Sequence, residues 1–150
     1  MTSADPRFVD ITNELADAVI DAVPGWFDAV ARRHLGTAGA PDRWGLDIAE
    51  AATRIGREIR ALAEIDIDAQ RTTPLTSIRT LADVGTPLLD AEGVARVTRD
   101  PHAVSIHPDD VYDLTPGGFA DLGDRVQAAG LAWGAAKAHL HLQRRRKDPG

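Results

Sequence analysis

Phe8, Ile11, Leu15, Val19, Val23, Phe27 and Val30 recur every three or four residues, the spacing of one helical face, and predict a first helix from about Phe8 to Leu35. Asp5 followed by Pro6 reads as an N-cap with proline at the first helical position. Pro24-Gly25 interrupts the stripe, which predicts a kink or two abutting helices, and Gly36 and Gly39 end it. A second helix is expected over about Asp42 to Ala69, with Trp44, Ile48, Ala51, Ala52, Ile55, Ile59, Leu62 and Ala63 inward. Its other face carries Arg54, Arg57, Glu58, Arg60 and Glu64, and Glu50–Arg54 has the acid-before-base order that supports a solvated helix.

A third segment opens at Thr73-Pro74, again a cap followed by proline, and closes at Glu92-Gly93. Leu75, Ile78, Leu81, Ala82 and Leu88 or Leu89 form its stripe, with Gly85 and Pro87 weakening the middle. Residues 94–123 are the least regular stretch, punctuated by Pro101, Pro108, Pro116, Gly117 and Gly118. Val94, Val97, Val104 and Ile106 suit short extended pieces there, and PDDVYDL (108–114) and PGGFADL (116–122) each suit one or two helical turns. A last helix is expected from about Asp124 to Arg146. Val126, Ala129, Trp133, Ala136 and Leu140 form one stripe on it, and Leu131, Ala135, Ala138 and Leu142 an adjacent one. With Gly130, Gly134 and six alanines, that helix is expected at the centre of the molecule or at a subunit interface.

Four long helical segments and one connection over about 94–123 predict an all-α, four-helix-type bundle with kinked helices. The 150 residues suit a single domain, with 1–6 and 147–150 frayed. A loop that long in a small domain is usually functional.

Composition narrows the classes. There is no cysteine, which removes disulfides, thiol catalysis and thiolate metal sites. The stretch MTSADPRFVD holds no apolar run of signal-peptide length, and no window approaches a membrane span, so a cytoplasmic protein with no membrane contact is expected. Fifteen of the 17 basic residues are arginine, and alanine accounts for 25 residues, a bias that matches a GC-rich genome. The net charge is −6, and residues 1–50 carry nine acidic and four basic groups. That front half repels a phosphate backbone and disfavours nucleic acid as a partner.

Candidate chemistry is sparse. His139 and His141 point about 200° apart on a helix, so they cannot share a metal ion, and no E-x-x-H spacing occurs; neither metal nor cofactor is expected. His34 falls where a helix C-terminus would favour its cationic form. The densest polar cluster is Arg99, Asp100, His102, His107, Asp109, Asp110, Tyr112 and Asp113. Arg99, His107, Asp109, Asp110, Tyr112 and Asp113, with Trp133, are the candidate ligand or interaction site, set against capping and packing as the alternative account. Neither G-x-S-x-G, S-x-x-K nor a glycine-rich phosphate loop is present. Gly130, Gly134, Arg144, Arg145 and Arg146 are the candidate interface. The basic end also has two other readings: a helix-dipole terminus, or a contact for the acidic first helix through Asp10, Glu14, Asp17, Asp21 and Asp28.

The stretch DDVYDLTPGGFADLGDRVQAAGLAWGAAKAHLHLQRRR (109–146) resembles the C-terminal part of an uncharacterised family of small helical actinobacterial proteins. The resemblance rests on a VYDLTP-x-x-FAD block, then GLAWGAAKAH and an arginine-rich end, with RTTPL (71–75) as a further match. It transfers no catalytic residue. It implies that 109–121 and 130–139 form a coupled unit, the loop lying over the last helix. Together these features lead to a non-catalytic helical protein that binds a protein partner or itself. A small-molecule, metal or enzyme site in the 99–113 cluster is the alternative, and a nucleic-acid accessory role for 144–147 is a weaker one.

Overall fold

In the computed structural model, which describes residues 6–37, 39–64, 73–94, 112 and 114–147 (the last four by backbone alone), the first apolar stripe forms one helix, α1 (Pro6–Leu35). It runs unbroken through Pro24-Gly25 and does not divide into two abutting helices. Proline withholds the N–H that would bond the Ile20 carbonyl. Val23 and Phe27, on either side of it, are fully buried, so packing holds the helix together across the missing bond. Thr12, the buried polar residue on this stripe, returns its hydroxyl to the Phe8 carbonyl at 2.7 Å and leaves no donor unsatisfied in the core.

The chain leaves α1 through Gly36, whose φ of +89° is costly for any residue with a Cβ. Asp28 ties the following turn down: its carboxylate accepts the Ala40 N–H at 3.2 Å and pairs with Arg32 at 2.9 Å. A 3₁₀ turn (Asp42–Trp44) then leads into α2 (Gly45–Ala61), which returns antiparallel to α1. The two meet closely at Gly56, where an added Cβ would overlap the Ile20 side chain. Arg60 of α2 pairs with Asp17 of α1 at the rim of this contact. Turns follow α2 to Glu64, and the remainder of the helix expected up to Ala69 lies outside the described residues.

The third segment is two helices, α3 (Pro74–Arg79) and α4 (Leu81–Ala91). Thr73 caps the first in a reciprocal box: its hydroxyl accepts the Thr76 N–H at 3.3 Å, and the Thr76 hydroxyl accepts the Thr73 N–H at 3.5 Å. At the break, the Thr80 hydroxyl donates to the Ser77 carbonyl at 2.6 Å. A 3₁₀ turn (Phe119–Leu122) precedes the last helix, α5 (Asp124–Lys147), which runs antiparallel to α1. Among the described residues every regular element is helical, so the fold class is all-α.

The centre of the bundle is α1, packed on one side by α2 and on another by α5. The last helix is peripheral, so of the two places expected for it, the centre of the molecule or a subunit interface, it does not take the centre. Its two apolar stripes are offset by two residues, or about 200°, and therefore lie on opposite faces rather than adjacent ones. Val126, Ala129 and Trp133 are buried, with Ala136 and Leu140 half-buried, while Ala128, Leu131, Ala135, Ala138 and Leu142 are all exposed. Arg125 anchors the start of α5 to the acidic face of α1, reaching Asp21 at 2.6 Å and Glu14 at 3.2 Å. Those two hydrogen bonds, to Asp21 and then Glu14, hold its guanidinium pKa above the ordinary value and keep it cationic.

Two glycines on α5 have opposite surroundings. A Cβ at Gly130 would overlap the Phe119 ring, whereas at Gly134 it would meet nothing. Gly130→Ala is expected to cost about 1–3 kcal/mol by overpacking, and Gly134→Ala to gain up to about 1 kcal/mol of helix propensity. Urea unfolding of the two variants checks both signs, and Phe119→Ala should remove most of the Gly130→Ala penalty.

The backbone hydrogen bond from Ala40 and the pairing with Arg32 hold the Asp28 carboxyl below its ordinary pKa. A lowered carboxyl pKa adds stability above the unfolded carboxylate range and loses it as pH falls through the folded value, below about pH 4. Asp28→Asn should flatten that acid limb in unfolding curves collected across pH, by lowering the neutral plateau toward the acid values.

Candidate functional site

Of the residues that the sequence brings forward as a ligand or interaction site, Arg99, His107, Asp109, Asp110 and Asp113 lie outside the described residues, as do Asp100 and His102. Tyr112 is described, and it is 1% exposed. Its hydroxyl donates to Asp90, at the end of α4, at 2.6 Å. Its carbonyl accepts the Nε2–H of His34, in the last turn of α1, at 2.9 Å, and the two rings meet edge to face at 5.3 Å. Because a carbonyl can only accept, this bond places the proton on Nε2. Two residues on, the Leu114 carbonyl accepts the Trp26 indole N–H at 2.8 Å. The Leu114 side chain lies over Gly85 so closely that an added Cβ would overlap it, with Phe27 beside it.

This constellation is a clamp. His34 and Trp26 come from the C-terminal half of α1, Asp90 from α4, and together they satisfy the Tyr112 and Leu114 carbonyls and the Tyr112 hydroxyl. Tyr112 therefore reaches no solvent from this position. His34, Trp26 and Asp90 were not marked by any spacing in the sequence, since they lie between 22 and 88 residues from the atoms they hold.

Trp133 sits in the contact between α5 and the start of α1. The Phe8 ring lies 5.8 Å from its centroid, tilted by 35°, and the Lys137 ammonium is 5.2 Å from it on the same helix. Its indole N–H is buried without an acceptor among the described residues. Beside this contact lies a cavity of about 340 Å³. Arg7, Phe8 and Ile11 of α1 form one wall, and Ala132, Ala135, Ala136, His139 and Leu140 of α5 form the other. The sequence gives no hint of it, because it depends on how far two antiparallel helices splay. The Gln143 amide donates to His139 Nε2 at 3.0 Å, so this imidazole is held by its own helix.

The candidate interface residues separate. Gly130 is buried under Phe119 of the same chain, where the 116–122 segment meets the last helix, while Gly134 is open. Residues 144–147 continue α5 as helix, and the side chains of Arg144, Arg145 and Arg146 lie outside the description. The acidic face of α1 is paired within the chain by other cations: Glu14 and Asp21 with Arg125, Asp17 with Arg60, and Asp28 with Arg32.

Among the described residues, the exposed surface holds one organised apolar feature. Leu131 and Leu142 are 68% and 57% exposed. With Ala128, Ala135 and Ala138, likewise exposed, they are spaced three, four, three and four residues apart, the repeat of a coiled-coil seam. The seam runs along the face of α5 opposite its buried stripe, and at Ala135 it borders the cavity between α5 and α1. Among the described residues no group of three or more His, Asp or Glu side chains is placed to hold a metal ion, and no helix is long and apolar enough to cross a membrane. No family model, no curated protein and no solved structure matches this chain.

The clamp makes a direct prediction. Tyr112→Phe keeps the ring and loses one charge-assisted hydrogen bond, which should cost about 1–2 kcal/mol. Tyr112→Ala should cost about 3–5 kcal/mol. Denaturant midpoints give both values, and a Tyr112→Phe midpoint equal to that of the wild type would show that the bond to Asp90 contributes nothing.

Proposed function

We propose that this chain acts by protein–protein contact, with a protein partner or with itself, in the cytoplasm, and that the exposed seam of α5 is the contact surface. One observation carries this reading: Leu131 and Leu142 stand in solvent on a helix whose other apolar stripe is already used in the core. Isolated exposed leucines are ordinary on protein surfaces. Leucines in register with three alanines, on the face opposite the buried stripe, leave a second helix-packing surface with no counterpart among the described residues. The face has the geometry to receive another helix at a shallow crossing angle.

The reading also accounts for the composition of α5. Helix interiors that only need solubility carry charged and polar residues on their wet face, as α2 does with Arg54, Arg57 and Glu58. On the wet face of α5, alanine and leucine stand at those places, and such a surface gains free energy only when it is covered.

The test is a comparison between wild type and the double variant Leu131→Glu/Leu142→Glu. Both positions are exposed in the single chain, so the variant should keep wild-type helicity and unfold within about 0.5 kcal/mol of the wild type. It should lose whatever association the wild type shows, whether a self-association measured by sedimentation across a concentration series or a defined partner retained on immobilised protein. A monomeric wild type, with wild-type and variant baits retaining the same proteins, would overturn the reading.

A further inference from the structure

We propose that the occupant of the α5 seam is the same seam of a second copy, the two helices lying antiparallel about a two-fold axis at Ala135. The inference rests on the reading of this face as a contact surface and names its partner.

The order of large and small residues selects the orientation. Along the seam the residues are Ala128, Leu131, Ala135, Ala138 and Leu142, a run of about 21 Å at 1.5 Å per residue. In a parallel, in-register pair each leucine meets its own copy, and so does each alanine, which gives two wide layers and three narrow ones. No single interhelical distance suits both. When the pair is antiparallel and centred on Ala135, Leu131 faces Ala138 of the second copy and Leu142 faces Ala128, in both directions. Every layer but the central one then holds one large and one small side chain, and the central layer holds two alanines on the axis. A surface that complements itself in this way is what an isologous two-fold contact requires. Ala132 and Gly134, exposed beside the seam, leave room for the backbones to approach closely.

Charge selects the same orientation. The start of α5 is acidic, with Asp121 just before it and Asp124 as its first residue, and the chain at 144–147 is Arg-Arg-Arg-Lys. Antiparallel packing brings the acidic start of each helix to the level of the basic end of the other, with Asp124 level with Arg146, and it opposes the two helix dipoles. Parallel packing would set two basic ends side by side. Arg125, which shares the acidic end, is already neutralised by Glu14 and Asp21 and so opposes this pairing little.

The chain has no cysteine, so single introduced cysteines report the geometry without background. Ala135→Cys lies on the axis and should form a disulfide-linked dimer under mild oxidation. Ala128→Cys alone should not cross-link, whereas an equimolar mixture of Ala128→Cys and Leu142→Cys chains should give the crossed dimer. By sedimentation the wild type should be a dimer, and Leu131→Glu should raise its Kd by about a hundredfold or more with helicity retained. Ala128→Cys chains linked to each other would overturn the antiparallel arrangement. A wild type that stays monomeric, while Leu131→Glu/Leu142→Glu still abolishes capture of a defined partner, would overturn the second copy as occupant and leave the contact-surface reading standing. A dimer indifferent to Leu131→Glu would overturn both.

Discussion

The structure depends on the burial of one long stripe of α1. Phe8, Leu15, Val19, Val23, Phe27 and Val30 are each buried to 4% exposure or less; α2 and α5 are placed by what they contribute against that stripe, and α3 and α4 pack on α2. α2 covers one side, close enough to need Gly56 at the contact, and α5 covers another through Val126 and Trp133. A helix of thirty residues with proline in its interior would not hold together alone. It does so here because the residues on both sides of Pro24 gain more by staying in the shared core than the missing backbone bond costs.

The same helix organises the irregular chain before α5. Trp26 and His34 leave the stripe, yet both turn a ring N–H toward backbone carbonyls of residues 112 and 114. That arrangement satisfies two carbonyls outside any helix and sets Leu114 over Gly85, so α4, α1 and Leu114 share one contact. Downstream, Phe119 covers Gly130, so the turn at 119–122 packs on both α5 and α1. The polar residues of this region that can be described are thus absorbed in holding the loop. Among the described residues, the organised surface left over is apolar and lies on α5.

Much of the fold is legible in the residues. The starts at Pro6 and Pro74, the closes at Gly36 and Gly93, the turn over 119–122 and the beginning of α5 at Asp124 all coincide with local capping, proline and glycine chemistry, because those signals act within one turn of the chain. The stripe of α1 is legible for the same reason. Less legible was the break of the third segment at Thr80, which no proline or glycine marks, and the continuity of α1 across Pro24, where burial overrides a local breaker. Of the candidate site, Tyr112 and Trp133 were visible as residues but not as roles. Their surroundings come from His34, Asp90 and Phe8, which no spacing links to them.

The last helix shows where sequence ends and tertiary structure begins. Its length, its two apolar stripes and its glycines are written in the residues, since periodicity is a property of one helix and needs no neighbour. Which stripe is covered is not, because Val126–Trp133–Leu140 and Leu131–Ala135–Leu142 are both fit to be buried. The choice was made by Trp133 meeting Phe8 and by Arg125 meeting Glu14 and Asp21, contacts between residues more than a hundred positions apart. Gly130 and Gly134 are alike in the sequence, and only the position of Phe119 makes one a packing requirement and the other an open surface. Hydrophobic burial has no direction of its own. The chain could therefore specify two faces, and only the packing of α1 could decide which of them remained in solvent.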